Sequence, residues 1–433
     1  MGYAQGVSGL NAAAANLDVI GNNIANAGTV GYKSASVQFS NVYAGSALGL
    51  GTKVAGIFQD FTPGAVQTST RPLDVAIING DGFFRLTNVG GEVAYSRNGQ
   101  FDVDKSGYLV NASGMRLTGY DVGANGSIAG GSPLALKLPL APMTPAATQN
   151  IEAQFNIDGR GKIPVATPFN ASDSATYNYS NSVTIFDSLG NPHELSTFFV
   201  KTATNTWATY ATADGWPLDA GGAKVGIAAL PVTPVTPVSG GAALTSGTFG
   251  FSTTGTLNDA TGTPASTLAG GKINLTGLNF GNGSAAMTLA VNVTGTTQFG
   301  SANDVRKMIP DGYTTGQLTT LAVNKDGTIS GKYSNQQTKV LGQIVLSSFV
   351  NQNGLQTKGD NVWAETAVSG PPLTGIPGSG SKLGSLVGGA VEASNVDLTA
   401  ELVNLIIAQR TYQANAQTVK TQDQVVQTLM NIR

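Results

Sequence analysis

The sequence predicts a mainly β protein with terminal α-helices: the N- and C-terminal helices form a coiled-coil-like core domain, and the strands form two nested β domains in a radial arrangement. Three observations lead there. Apolar or small residues recur in alternating steps of four and three at both ends of the chain, which is heptad spacing. Between the ends, short β-branched and aromatic runs are separated by Asn-Gly, Asp-Gly and Gly-Gly turns. The same strand grammar then returns after a long insertion, as when one domain interrupts another.

The first helix carries Tyr3, Val7, Leu10, Ala14, Leu17, Gly21 and Ile24 on one face. Its end is expected near Asn26–Gly28, because Asn and Gly tolerate the left-handed conformation that closes a helix. The last helix carries Leu398, Leu402, Leu405, Tyr412, Ala416, Val419, Val426 and Met430, with Gln409 and Asp423 as polar interruptions. A lone helix would leave such a stripe wet, so residues 1–28 and 391–433 are assigned to one terminal helical domain. Its large apolar residues are the candidate assembly interface. The stripes fit either a core within the chain or one shared between copies.

Residues 29–70 set Tyr32, Phe39, Tyr43, Phe58 and Phe61 among Gly and Ser, and read as an extended connector packed on its neighbours. From Leu73 the runs LDVAII, GFFRLTN, GEVAYSRN and YLVNASG are strands, and LAVNKDGTISGKY (Leu321–Tyr333) and VLGQIVLSSF (Val340–Phe349) continue them. Residues 71–144 and 312–390 therefore make an inner β domain. Residues 145–311 make an outer, inserted β domain, reached through a loop over Gly131–Asn150. Within it, Ser182–Lys201 is a hairpin around Leu189–Pro192, with Val183 and Ile185 answered by Leu195 and Phe199. The Pro-rich stretch Leu230–Gly241 is expected to be an exposed connector. Nesting of this kind puts both termini at one end of the molecule and the insertion at the other.

Composition excludes several classes of function. Charged residues make up 11% of the 433 and the net charge is -2, so nothing attracts nucleic acid or an anionic membrane. There is no cysteine, hence no disulfide and no thiolate metal site. No basic residue precedes Lys33 and no apolar run reaches the ~18 residues of a membrane helix, so neither a secretory signal peptide nor a membrane span is expected. His193 is the single histidine, follows Pro192 in a turn, and is expected at the surface, with no nucleophile arrangement around it. Gly271-Lys272 lacks the rest of a phosphate loop, and Gly49, Gly51 and Gly56 have the wrong spacing for a nucleotide fingerprint. Asp102, Asp104, Ser106 and Gly107 imitate the start of a calcium loop, but Ser113 stands where the bidentate Glu belongs, and a polar hairpin turn is expected instead. No catalytic, cofactor or metal residue is assigned.

Residues 17–33, LDVIGNNIANAGTVGYK, together with Val391–Arg433, resemble the terminal signatures of the flagellar axial family of rod and hook proteins. The signature positions are Leu17, Asp18, Gly21, Asn22, Asn23, Ile24, Ala25, Asn26, Gly31 and Tyr32. Arg71–Leu86, Tyr95–Phe101 and Val340–Trp363, with the long insertion between them, resemble the hook branch of that family. The resemblance implies a self-assembling subunit of a curved tube that transmits torque from rod to filament and encloses an export channel. Tyr3, Val7, Leu10, Leu17, Ile24, Leu398, Leu402, Leu405, Tyr412, Val419, Val426 and Met430 would then form a polymer core. It further implies export by the flagellar type III apparatus without cleavage, and a place outside the cell. The implied partners are other copies of the chain, the distal rod protein, the hook cap protein, the hook–filament junction protein, the hook-length control protein and the export apparatus. If the helices line the tube, the amides of Gln409, Gln413, Gln417, Gln424 and Gln427 give a wall that retains neither charged nor apolar cargo. The alternatives are a distal rod protein, which the insertion argues against, and a secreted β-rich adhesin or enzyme, which leaves the two heptad stripes unexplained.

Overall fold

A computed structural model describes residues 2–42, 51–123, 126–128, 130–217, 247–258, 262–268, 270–378, 380 and 382–431. It is mainly β, with helix α1 (Gly2–Ala25) at one end of the chain and helix α2 (Leu398–Asn431) at the other. The Pro-rich stretch 230–241, Tyr43 and Gly49 lie outside the described residues. No described helix is long and apolar enough to cross a membrane.

The chain divides into two compact units: Met1–Leu140, Leu318–Lys332 and Thr338–Arg433 in the first, Ala141–Gln317 and Tyr333–Gln337 in the second. The second unit is thus wider than the 145–311 insertion read from the sequence, and the terminal helices fall in the same unit as the first set of strands.

In the first unit the segment expected as an extended connector contains an antiparallel hairpin, β1 (Ala35–Asn41) and β2 (Thr52–Gln59), which lies against α1. The connector reading missed it because Val37 and Phe39 alternate with polar residues only briefly, while Val54, Ile57 and Phe58 break the two-residue period around Ala55 and Gly56. A third strand, β3 (Val66–Thr68), pairs with Ala390–Glu392 just ahead of α2. The main sheet of this unit runs in the order Leu318–Val323, Thr328–Tyr333, Thr338–Ile344, Arg116–Tyr120, Phe83–Thr87, Val93–Ser96, Val362–Ala364, Gln356–Gly359. Its core is aromatic: Phe61 and Trp363 pack edge-on to Phe83 at 5.5 and 5.7 Å between ring centroids, and Tyr95 meets Phe349 at 4.7 Å. Edge-to-face pairs of this kind add to the area they bury.

In the second unit one sheet orders Lys272–Leu278, Met287–Asn292, Asn150–Asp158 and Thr297–Phe299, with Asp304–Pro310 also on Asn150–Asp158. The other orders Tyr179–Phe186, Pro192–Ala203, Thr206–Ala213 and Trp216–Pro217, with Gly247–Gly250 on Thr206–Ala213. Alternating apolar residues of both sheets, among them Phe155, Ile185, Phe199, Trp207 and Leu289, share one core.

His193 is not the surface residue expected. Its ring stacks on Phe280, its Nδ1 lies 2.8 Å from Asp214 Oδ2, and its Nε2 lies 3.3 Å from Asp187 Oδ2. Asp187 is fully buried and also accepts from the Asn191 and Asn282 side chains, so this knot ties the 187–191 turn to the loop after Leu278. Burial alone would raise the Asp187 pKa, but these hydrogen bonds outweigh it and hold the carboxyl far below the usual carboxylate range.

Candidate assembly site

Helices α1 and α2 pair antiparallel: Gly6 faces Val419, Gly9 faces Asn415, and Asn23 donates to Glu401 Oε1 at 3.1 Å. A Cβ on Gly6 would sit 2.9 Å from Val419 Cγ2, and one on Gly9 2.8 Å from Asn415 Oδ1, so glycine is what lets the helices approach. Ala13, Ile20 and Asn23 continue this seam on α1, and Ala408 is its most buried residue on α2. On α1 the seam is also in heptad spacing, but on a face one residue away from the predicted stripe; on α2 it takes in Leu405 and Val419 of that stripe.

Within the single chain the predicted stripe is only partly covered. On α1, Tyr3 and Gly21 are exposed and Val7, Leu10, Ala14, Leu17 and Ile24 half-buried; none is in the buried seam. On α2, Leu405, Ala416 and Val419 are half-buried, whereas Leu398, Leu402, Tyr412, Val426 and Met430 are exposed, as are Gln409 and Asp423. On α1 heptad counting selected the face with the largest side chains, while the helix pairs with α2 through its smallest. Two stripes one residue apart coexist because α1 is rich in Gly and Ala, and size, not hydrophobicity, decides which one closes.

Val403, Ile406 and Ile407 join Leu398 and Leu402 as exposed apolar residues on α2, each about half open to solvent. Beside them, α1, α2 and the β1–β2 hairpin enclose an open groove of about 770 Å³ floored by Ala12, Ala13, Ile20, Val37 and Ala408. Phe39, Ile57 and Phe58 of the hairpin are exposed too. Further along α2, Thr411, Thr418, Thr421 and Thr428 each donate a hydroxyl hydrogen to the carbonyl four residues back, at 2.8 to 2.9 Å.

The signature stretch folds into a joint. Asn26 Nδ2 donates to the Asn22 carbonyl (3.0 Å) and side chain (2.7 Å), and Thr29 to Asn26. These bonds close α1 without a left-handed residue at Asn26–Gly28; the positive φ falls later, at Gly31 (φ 70). A Cβ there would lie 2.6 Å from the Asn98 nitrogen. Asn23 is buried and mimics a strand partner, accepting from Ala35 N at 2.9 Å and donating to Ala35 O at 2.8 Å. Tyr32 donates to Asn22 and Asn23, and burial first, Glu401 second, raise its pKa. Of the other signature residues, Asp18 and Ala25 are exposed, and nothing lies within 4 Å of a Cβ built on Gly21.

Sequence reasoning missed the charged centre of this joint. Lys33, Glu392 and Arg97 are buried together, with Lys33 Nζ 2.6 Å from Glu392 Oε1 and Arg97 Nη1 3.6 Å from Oε2. Burial pushes the Lys33 amine below its ordinary range against the pull of Glu392, and lowers the Arg97 guanidinium likewise. The one available signal was scarcity: in a chain with so few charges, a Lys ends the first signature and a Glu opens the second.

The imitation calcium loop is a turn, in which Asp104 Oδ1 accepts from Ser106 N and Tyr108 N while Asp102 pairs with Arg71. Among the described residues no group of three or more His, Cys, Asp or Glu is placed to hold a metal ion.

Four family profiles match the chain: "Flagella basal body rod protein" over residues 5–33, "Flagellar hook protein FlgE/F/G D1 domain" over 77–165, "Flagellar basal body protein FlaE D2 domain" over 156–313 and "Flagellar basal body rod FlgEFG protein C-terminal" over 387–432. The chain is 46% identical to the flagellar hook protein FlgE of Salmonella typhimurium over 436 residues, covering 100% of both. The chain belongs to the flagellar hook protein FlgE family. It is likewise 45% identical to FlgE of Escherichia coli K12, again over 100% of both chains. A crystal structure of Helicobacter pylori flagellar hook protein FlgE2 matches at a TM-score of 0.49 with 13% identity, over 75% of this chain and 100% of that one. FlgE proteins are structural proteins, not enzymes. In this FlgE-family chain the first profile ends on Lys33 and the last opens shortly before Glu392, so both signatures terminate in the joint.

Proposed function

We propose that the chain is the structural subunit of a bacterial flagellar hook, polymerising through its terminal helices into a curved tube that transmits torque from rod to filament. The observation that carries this reading is the apolar face of α2, Leu398, Leu402, Val403, Ile406 and Ile407, which lies open beside a groove while the helices pair through a different face. A patch of this kind that docks on a non-identical surface of the next copy makes a head-to-tail contact, which repeats into an open helical polymer. Covering the face would contribute roughly 25 cal/mol per Å² removed from water. In this polymer the helices form a coiled-coil-like inner wall around the export channel. The β domain of 71–144 and 312–390 lies further out, and the 145–311 domain outermost. Tight apolar contacts inside and exchangeable polar contacts outside let each protofilament lengthen and shorten as the curved tube turns.

The subunit would reach the outside of the cell through the flagellar type III apparatus without a cleaved signal peptide. Its neighbours in the appendage would be the distal rod protein below, the junction protein above, and the cap and length-control proteins during growth. Salting out the purified protein and viewing it by negative-stain electron microscopy tests the reading. Tubes are expected; monodisperse globules under all conditions would sink it.

A further inference from the structure

Only two stretches of chain connect the helices to the strands of the first unit, residues 26–34 after α1 and 393–397 before α2. Both are fastened to one residue. The Glu392 carbonyl accepts from Gly31 N at 2.8 Å, and its Oε1 accepts from Lys33 Nζ at 2.6 Å and Gly64 N at 3.0 Å. Lys33 Nζ also donates to the Thr62 carbonyl at 2.7 Å, and Arg97, which follows the strand Val93–Ser96, approaches Oε2. The chain leaving α1, the chain after β2, the main sheet and the chain leading into α2 therefore meet at one carboxylate. Glycine is required for the approach, since a Cβ on Gly64 would lie 2.0 Å from the Ala393 oxygen.

The cluster is not built for stability. All three side chains are at most 1% exposed, two cations share one anion, and none of the three Arg97 guanidinium nitrogens makes a hydrogen bond among the described residues. Arg97 instead lies over the Phe83 ring, 5.1 Å from its centroid. Removing such charges from water offsets most of their attraction, and replacing a buried ion pair by apolar side chains of similar size is often neutral or stabilising. What an ion pair supplies that an apolar pair does not is a single geometry.

We propose that Glu392 is a positioning residue that welds both terminal helices to the β domain, making this point of the subunit rigid so that the helices are presented for assembly in one orientation. The inference rests on the assembly reading above but concerns the interior of one chain, so the two can fail separately.

The experiment follows hydrogen exchange in the full-length monomer, its thermal unfolding, and its critical concentration for tube formation. In E392Q, exchange at 29–34 and 392–397 should rise at least about tenfold, while Phe83–Thr87 and Val93–Ser96 stay protected. The critical concentration should rise at least about tenfold as well. The triple variant K33M/R97M/E392M separates positioning from support, because Met fills the space without fixing a geometry and no buried charge is left unpaired. It should melt at the wild-type temperature or higher, yet lose protection in both segments and assemble poorly. Wild-type protection and assembly in K33M/R97M/E392M would overturn the proposal, as would a loss of protection in E392Q spread equally over the sheet. Should E392Q not fold, the triple variant decides alone. A wild-type chain that forms no tubes would sink the assembly reading and leave the exchange result to judge the weld.

Discussion

Leu402 and Leu405 are one helical turn apart on α2 and predict opposite experiments. Leu405 belongs to the half-buried seam, so Leu405→Asp places a carboxylate where water is largely excluded and should cost roughly 2–4 kcal/mol of helix pairing. Leu402 is exposed in the single chain, so Leu402→Asp should change monomer stability by less than about 0.5 kcal/mol and still abolish tubes. Circular dichroism of the monomer beside sedimentation of assembled material checks both; tubes from Leu402→Asp would remove this face from the interface. At this scale legibility was uneven. Asn22, Asn23, Asn26, Gly31 and Tyr32 stood out in the sequence, but their bonds to Ala35, Glu401 and Glu392 are tertiary and have no signature in spacing. His193 was misread because a residue after proline in a turn is ordinarily exposed, and its partners Asp214 and Phe280 are distant in sequence.

Among the elements, α1 was placed correctly and its buried face was not. The heptad rule finds large apolar side chains, whereas Gly6, Gly9 and Ala13 pair because they are small, and at that spacing a Gly- and Ala-rich helix offers more than one stripe. Gly21 gives a way to ask which faces serve the polymer. Among the described residues, nothing beyond the adjacent backbone of its own helix lies within 4 Å of its Cβ position, so Gly21→Ala should stabilise helix α1 by up to about 1 kcal/mol on propensity alone. If a neighbouring copy packs there, tubes should nevertheless become weaker, seen as a raised critical concentration; unchanged or improved assembly would show the position to be solvent-facing. The knot around Asp187 makes a pH prediction. A carboxyl whose folded pKa is depressed contributes stability that is present above its unfolded pKa, about 3.9, and lost as pH falls below it. The second unit should therefore lose melting temperature below about pH 4. Asp187→Asn should cost about 2 kcal/mol at neutral pH and flatten that acid limb; a limb of undiminished steepness would mean that other carboxylates govern it.

For the molecule as a whole, strands and turns were legible wherever alternation and Asn-Gly or Asp-Gly signals coincided, as at Phe83–Thr87 and Val93–Ser96. The β1–β2 hairpin was not, because it leaves most of its apolar residues open to solvent and so lacks a buried face to set the pattern. Deleting 141–317 and joining Leu140 to Leu318 tests the division of labour between units. The helices and the first unit should still assemble, but the tubes should be straight or irregularly curved, since axial displacement between subunits grows with distance from the tube axis. A folded first unit that no longer assembles would place the second unit in the structural core. The threonines of α2 carry a different consequence. Thr411, Thr418, Thr421 and Thr428 face water, but each hydroxyl hydrogen is already engaged by its own helix. What remains on view at these positions is a methyl group and an oxygen lone pair. A polypeptide sliding along such a surface finds few hydrogens for its carbonyls there and keeps its own hydration, so drag is set by a film of water instead of by bonds made and broken at every step. Thr418→Lys, which restores a free donor and adds charge, should act as a brake, lowering the secretion rate of an exported reporter while tube structure is unchanged; an unaltered rate would mean that this face does not border the moving chain.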